Sequence, residues 1–401
     1  MKIDEIISYD SQYYVNVFGS RIPIAFEKGE GCILYDSQNK EYLDFISGIS
    51  VCNLGHSHPK FVTALKDQIE KLIHTSSLFY IEPQALLAKR LAEVSKFDKV
   101  FFCNSGAEAN EAAIKLVRNY FYKKGLSKYK IITLENSFHG RTLATTAATG
   151  QKKYQKPFEP MPEGFINVEA DIEKIKSVID DKTAAVMIEL VQAEGGIKVL
   201  SKEFVQKLFA FCKEHGLLFV IDEVQTGIGR CGSLFCFEQY DVTPDIITLA
   251  KGLGNGVPIG AMLCKKEVAT FEPGEHGSTF GGNLLATRAA LEVLRIIEEE
   301  NIIENVNKMG DYLKQKLLEL KEQFDFMVDV RGLGLLIGVE FSFPVKELVK
   351  ELALAGLLTS SCGGGNVIRF APPLIVQKTH IDKALEIFKD VVKRYADMGR
   401  A

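Results

Sequence analysis

Two short apolar runs end on ionisable residues of opposite charge. Leu217-Leu218-Phe219-Val220-Ile221 leads into Asp222-Glu223-Val224-Gln225, and Thr248-Leu249-Ala250 leads into Lys251-Gly252. Runs this apolar suit strands inside a parallel sheet. The residue that ends each run then emerges at the sheet's carboxyl edge, where open α/β sheets hold their ligands. A lysine amine and a carboxylate delivered to one edge would serve pyridoxal phosphate. Its aldehyde condenses with an amine, and its pyridine nitrogen needs a carboxylate to keep a proton. Either residue alone is as readily a solvated strand cap, so the reading needs further parts.

Four other stretches carry the right residue types. Asn104-Ser105-Gly106-Ala107-Glu108 sits between a strand-like and a helix-like segment. Free amides at a helix start beside a glycine make a phosphate seat, although many helices begin Ser-Gly merely as a cap. In Phe138-His139-Gly140-Arg141, the phenylalanine could lie on a planar ring and the arginine could fork onto a carboxylate. A core Phe beside a solvated Arg fits equally well, and His139 reads as structural. Glu189-Leu190-Val191-Gln192-Ala193-Glu194-Gly195-Gly196 places a carboxylate, Glu194, in a glycine-rich loop. His276-Gly277-Ser278-Thr279-Phe280-Gly281-Gly282-Asn283 offers hydroxyls and amides to an anion. Gly254-Asn255-Gly256 lacks the spacing of a dinucleotide fingerprint and no helix clearly follows it.

The segments that must position these residues alternate. Strands are expected at 99–103, 131–134, 184–190 and 245–250. Helices are expected at 59–73, from Pro83, at 108–122 and at 202–215. Strands separated by helices imply a mainly parallel sheet covered on both faces. From about residue 286 long amphipathic helices take over, through Glu300 and over 303–320. A strand-like run at 332–340, a short strand at 367–370 and a last helix at 380–395 follow. Residues 1–48 therefore read as an arm with part of a smaller α+β domain, 49–285 as the large domain, and 286–401 as the remainder of the smaller one.

Composition narrows the function classes. Lys and Arg number 48 against 52 Asp and Glu, a net charge of −4, which offers nothing to nucleic acid or anionic lipid. No apolar run is long enough to span a membrane, and acids stand where a signal peptide would carry bases. Eight scattered cysteines without a Cys-x-x-Cys pair suggest neither zinc nor a redox dithiol. These features predict a soluble, cytoplasmic protein with reduced thiols and no metal.

Seven motifs in register give the chain a family resemblance. They are Ser-Gly-Ala-Glu-Ala-Asn-Glu, Phe-His-Gly-Arg, Glu-x-x-Gln-x-Glu-Gly-Gly, Asp-Glu-Val-Gln-Thr-Gly-x-Gly-Arg, Ala-Lys-Gly, Gly-Ser-Thr-Phe-Gly-Gly-Asn and Ile-Arg-Phe-x-Pro-Pro. Together they resemble the class III (ω-amino acid) aminotransferases, from about Ile22 to the C-terminus. The resemblance implies the fold type I of pyridoxal phosphate enzymes, aspartate aminotransferase-like, with a large, mainly parallel seven-stranded sheet and a smaller α+β domain. It implies that Lys251 joins the cofactor and shuttles the proton, and that Asp222 holds the pyridinium proton. Phe138 and Val224 would flank the ring, and Gln225 would reach its phenolic oxygen. Ser105, Gly106 and Ala107 would seat the phosphate. Thr279 would reach it from the other subunit of a homodimer with shared active sites, with Ser278 near the substrate.

Arg141 would hold the α-carboxylate of an acylated ornithine, and Arg369 that of 2-oxoglutarate. Glu194 would pair with Arg369 while the amino donor reacts. In members that act on free ornithine, a tyrosine binds the α-amine; that position falls near Gly19. Ala107 stands where many members carry threonine, Leu190 where proline is usual and Ala193 where glycine is usual. The last two lie beside Glu194, so its pairing is the feature most exposed to these departures.

Overall fold

A computed structural model describes residues 1–399. Its centre is a seven-stranded sheet. In chain order the strands are β1 (Lys99–Cys103), β2 (Lys130–Leu134), β3 (Phe165–Val168), β4 (Thr183–Ile188), β5 (Leu218–Asp222), β6 (Ile246–Leu249) and β7 (Gly260–Cys264). They lie in the order β1-β7-β6-β5-β4-β2-β3. The five strands from β2 to β6 are mutually parallel, whereas β7 runs antiparallel to both β6 and β1. Every residue of β4, β5, β6 and β7 is buried, as expected of strands covered on both faces. Asp222 of β5 pairs in register with Thr248 of β6, which brings the ends of the two opening runs side by side.

Two smaller four-stranded sheets flank this core. One joins Phe26–Glu30, Ile33–Asp36 and Glu41–Asp44 to Leu357–Leu358, so the first strands of the chain pair with a segment from near its end. The other is antiparallel, in the order Met327–Leu333, Leu336–Phe341, Val367–Phe370, Ser360–Cys362. Helices Leu284–Glu299 and Ile302–Lys321 are separated by Asn301, whose φ of +51° breaks the helical path. All eight cysteines are unpaired, and seven of them are buried. Among the described residues no helix is long and apolar enough to cross a membrane, and no group of three His, Cys, Asp or Glu could hold a metal ion.

Three expectations need correction. The run at 332–340 is not one strand but parts of two. Leu333 pairs with Leu336 across a two-residue turn, and Gly334 takes a φ of +54° there. A Cβ at Gly334 would come within 2.6 Å of the Cys231 carbonyl carbon, so both the turn and its tight packing call for glycine. The helix from Pro59 ends at Lys71, and β4 ends at Ile188, before the loop that carries Glu194. Strand β7 was not anticipated, because five apolar residues after Pro258 are too short to show a period.

Arg230 ties these parts together. It is fully buried, and its Nη1 donates to the carbonyls of Leu335 (3.0 Å) and Pro372 (2.6 Å). Its Nη2 donates to Asn53 Oδ1 (2.8 Å) and Ser47 Oγ (3.3 Å). Burial lowers the guanidinium to about 10, a measure of how poorly water reaches it. Arg230→Met removes that desolvation cost but orphans four buried acceptors on three separate segments. The second effect is the larger, and a net loss of about 3 kcal/mol is expected. An unchanged chemical-denaturation midpoint would contradict this.

Candidate active site

The carboxyl edge of the large sheet opens into a cleft of about 420 Å³. Ser105, Gly106, Ala107, Phe138, Arg141, Asp222, Val224, Gln225 and Lys251 all line it. Glu194, Arg369, Ser278 and Thr279 do not; each stands in another relation to the cleft.

The floor is built around Asp222, which is 4% exposed. Oδ1 accepts from the Val224 amide (2.9 Å), while Oδ2 lies 2.7 Å from Asn110 Nδ2 and 2.8 Å from His139 Nδ1. An ionised carboxylate can only accept, so His139 carries its proton on Nδ1. Asn110 is fixed in turn: Nδ2 also donates to the His139 carbonyl (2.7 Å), and Oδ1 accepts from Thr248 Oγ1 (2.6 Å). Asn110 stands four residues after Gly106 on helix Gly106–Lys123, so one helix offers both its first amides and this support.

Lys251 lies just beyond β6, in a short turn with a φ of +46°, a conformation that non-glycine residues hold only where the surroundings impose it. Part of its side chain remains accessible through the cleft, yet the ammonium lies deep. Burial first, and then the charge of Arg369, lower it to about 8, against the pull of Glu194, Asp222 and Glu189. A lysine tuned this way can be both nucleophile and base near neutral pH. Glu189 answers it from the wall. It accepts from the Phe138 amide (2.9 Å), and burial and then the nearby Asp222 charge push its carboxyl well above the ordinary range.

The anion seat is at the start of helix Gly106–Lys123. Ser105 is its N-cap, with Oγ accepting from the Glu108 amide at 3.2 Å. A Cβ at Gly106 would meet Val224 Cγ1 at 2.6 Å, so only glycine lets the amides stand this close to Val224. Ala107 packs against Gly140, where a Cβ would come within 2.8 Å of the alanine's own Cβ. On the opposite wall the Arg141 guanidinium lies 4.1 Å from the Tyr154 ring centroid and 5.4 Å from that of Phe138. Among the described residues Arg141 has no carboxylate partner.

Behind Gln225 lies a charged pair. Arg369, 2% exposed, donates through Nη1 to Glu194 Oε1 (2.5 Å) and to Gln225 Oε1 (3.1 Å), and through Nε to Ser360 Oγ (3.1 Å). Burial alone would raise Glu194. The charge and hydrogen bond of Arg369 outweigh it and hold the carboxyl below its ordinary value. The pair forms although Leu190 and Ala193, the two departures beside it, are fully buried in the same loop. Gln225 Oε1 also accepts from Ser50 Oγ (3.2 Å). Ser50 belongs to a turn in which Ser47, Gly48, Ile49 and Ser50 all have φ between +44° and +67°. Left-handed backbone costs about 1–2 kcal/mol per non-glycine residue, so this turn is held under load at the cleft wall.

Ser278 Oγ accepts from Asn104 Nδ2 (3.2 Å) and so touches the cleft rim, whereas Thr279 is exposed and is not among the residues that line its own chain's cleft. Gly19 is not among the lining residues. Sequence reasoning gave no role to Asn110, Glu189, Tyr154 or Ser50, and read His139 as structural. The spacing of Asn110 from Gly106 was an available signal. Tyr154 and Ser50 come from loops whose approach no local pattern announces.

The residues present fit pyridoxal phosphate: an amine, a multiply hydrogen-bonded carboxylate and a helix-start anion seat surround one cleft. Comparison with known proteins agrees. The family model for aminotransferase class-III matches residues 14–392. The chain is 48% identical over 400 residues to the acetylornithine aminotransferase of Methanocaldococcus jannaschii, covering 98% of this chain and 100% of that one. It is 48% identical over 390 residues to that of Caldanaerobacter subterraneus subsp. tengcongensis, covering 96% and 99%. Among solved structures, an ornithine aminotransferase from Toxoplasma gondii superposes with a TM-score of 0.94 at 30% identity, covering 99% and 96%. The N-acetylornithine aminotransferase from Stenotrophomonas maltophilia gives 0.84 at 35% identity, covering 98% and 100%.

Proposed function

The chain belongs to the class-III aminotransferases, and from that premise we propose that it moves the terminal amino group of N-acetylornithine to 2-oxoglutarate. The products are N-acetylglutamate 5-semialdehyde and glutamate, a step of arginine biosynthesis. The family depends on pyridoxal phosphate. When bound, that cofactor supplies an aldehyde that takes up the amino group and a ring that draws electrons from the carbon bearing it.

The chain's own residues do the rest. Asp222 holds the proton on the ring nitrogen. Phe138 and Val224 would flank the ring, and Gln225, whose amide oxygen is engaged by Arg369 and Ser50, would reach its phenolic oxygen. Ser105 and the amides of Gly106 and Ala107 take the phosphate. Lys251 Nζ would hold the cofactor in the resting enzyme and would take the proton from the donor's amino-bearing carbon. Arg141 takes the donor's α-carboxylate.

One observation carries the two-substrate reading: Arg141, which among the described residues has no carboxylate partner, lines the cleft, and Arg369, masked by Glu194, stands behind its wall at Gln225. Arg369 paired with Glu194 presents little charge to a donor; freed, it binds the α-carboxylate of a dicarboxylic acceptor. Thr279 would complete the phosphate end of a second copy's site, with Ser278 beside it near the substrate. Thr279 is exposed beside Phe280, and Leu78 and Tyr80 (88% and 108% exposed) add apolar surface of the kind a homodimer covers. We assign residues 1–48 and 286–401 to a smaller domain, its last two residues lying outside the described ones, 49–285 to the large domain, and the protein to the cytoplasm.

The test is a half-reaction on holoenzyme, followed by cofactor absorbance, with N-acetylornithine, N-succinylornithine, ornithine and 4-aminobutyrate added separately. N-acetylornithine is expected to convert the cofactor most efficiently. Conversion by 4-aminobutyrate alone would overturn the assignment.

A further inference from the structure

Arg141 is exposed, and among the described residues its guanidinium has no hydrogen bond or ion pair. A long charged side chain in that state would sweep through many rotamers. Here its Cζ lies over the Tyr154 ring, 4.1 Å from the centroid, and 5.4 Å from the centroid of Phe138. An aromatic face attracts the charge through its π electrons. Unlike a carboxylate, it leaves the N–H donors of the fork free for another anion. The same ring also reaches the cofactor side of the cleft, meeting Phe138 edge to face with 6.0 Å between centroids at 83°.

The backbone that carries Tyr154 is tied down on both sides. The single helical turn Lys152–Gln155 follows Gly150, where a Cβ would come within 2.1 Å of the Leu134 carbonyl oxygen at the end of β2. The Gly150 amide donates to Ser137 Oγ (3.0 Å), and Gln151 Nε2 donates to the Ser137 carbonyl (3.0 Å). On the far side Gln155 Nε2 donates to the Thr149 carbonyl (2.8 Å) and to Asn167 Oδ1 (3.0 Å). Its neighbours therefore fix the half-buried ring to the sheet's carboxyl edge, while the Tyr154 hydroxyl has no partner among the described residues. Lys153 approaches the same ring at 4.8 Å but does not line the cleft.

Resting on the donor reading above, we propose that Tyr154 is a positioning residue for donor specificity, its ring holding the Arg141 fork open toward the donor's α-carboxylate. The test compares, on holoenzyme, the half-reactions of N-acetylornithine and of N-acetylputrescine, the same donor without its α-carboxylate. Wild type should prefer N-acetylornithine in kcat/KM. Tyr154→Leu should lower that preference about fivefold, through KM, and leave N-acetylputrescine unchanged. Tyr154→Phe, which keeps the ring and loses only the unpartnered hydroxyl, should retain the wild-type preference. In an Arg141→Gln background Tyr154→Leu should lower the preference no further, because the ring acts through the arginine. Should Tyr154→Leu fail to fold, Tyr154→Met, equally without an aromatic face, should give the same loss. An unmoved preference, an equal fall for both donors, a Phe variant as impaired as the Leu one, or a further fall beyond Arg141→Gln would overturn the role of Tyr154 alone. A wild type inert toward N-acetylornithine, or one that does not distinguish the two donors, would overturn the functional reading and this inference with it.

Discussion

Lys251→Ala is expected to cut transamination by about 10⁴-fold or more, because on the proposed reading it removes both the cofactor's covalent anchor and the group that moves the proton. The same substitution should change stability in a pH-dependent way that a surface lysine would not. In the folded apoprotein Lys251 is lowered from 10.5 to about 8, mainly by burial and then by Arg369. Between those two pH values the unfolded chain binds more protons than the folded one, so stability rises as pH increases across that window. Below about 8 both forms are protonated and the full penalty of burying the ammonium is paid. The alanine apoprotein should therefore be the more stable of the two near pH 7, and its denaturation midpoint should lack the rise that wild type shows between about 8 and 10.5. Equal slopes in the two proteins, or retained activity and yellow colour in the variant, would refute the role of this amine.

How much of this could be read from sequence depended on how far apart the partners lie. Asp222 and Lys251 were legible because each ends an apolar run, and neighbouring parallel strands bring such ends together, as the pairing of Asp222 with Thr248 shows. Lys251 nonetheless lies past the end of β6, in a positive-φ turn that no periodicity reports. The anion seat was legible locally, since Ser105 caps and Gly106 opens a helix in one continuous stretch. The partnership of Arg369 with Glu194 spans 175 residues and came only from the family resemblance. The turn at Ser47–Ser50 was invisible, because non-glycine residues at positive φ are set by what packs around them. Gly254-Asn255-Gly256 lacks the spacing of a nucleotide motif, but Gly256 lines the cleft and Asn255 accepts from the Leu54 amide (2.8 Å), a tertiary use that composition does not encode.

Asp222→Asn should lower the rate by about 10³-fold while the protein stays folded, which separates charge from shape. The asparagine oxygen must take the place of Oδ2, where Asn110 and His139 both donate. Its amide nitrogen then faces the Val224 amide, donor against donor, at the position where Oδ1 now accepts at 2.9 Å. The variant thus loses the anion and gains a mismatch at the floor of the cleft. Asn110→Ala asks how much the support behind the carboxylate matters. It removes one donor to Asp222 and the acceptor for Thr248 Oγ1, and should cost about tenfold, the scale of one hydrogen bond to a charged group. Because Asn110 acts through Asp222, the double variant should be no slower than Asp222→Asn alone. Losses that multiplied in the double variant would mean that Asn110 reaches the chemistry by another route, and the carboxylate-centred account of the cleft floor would have to be given up.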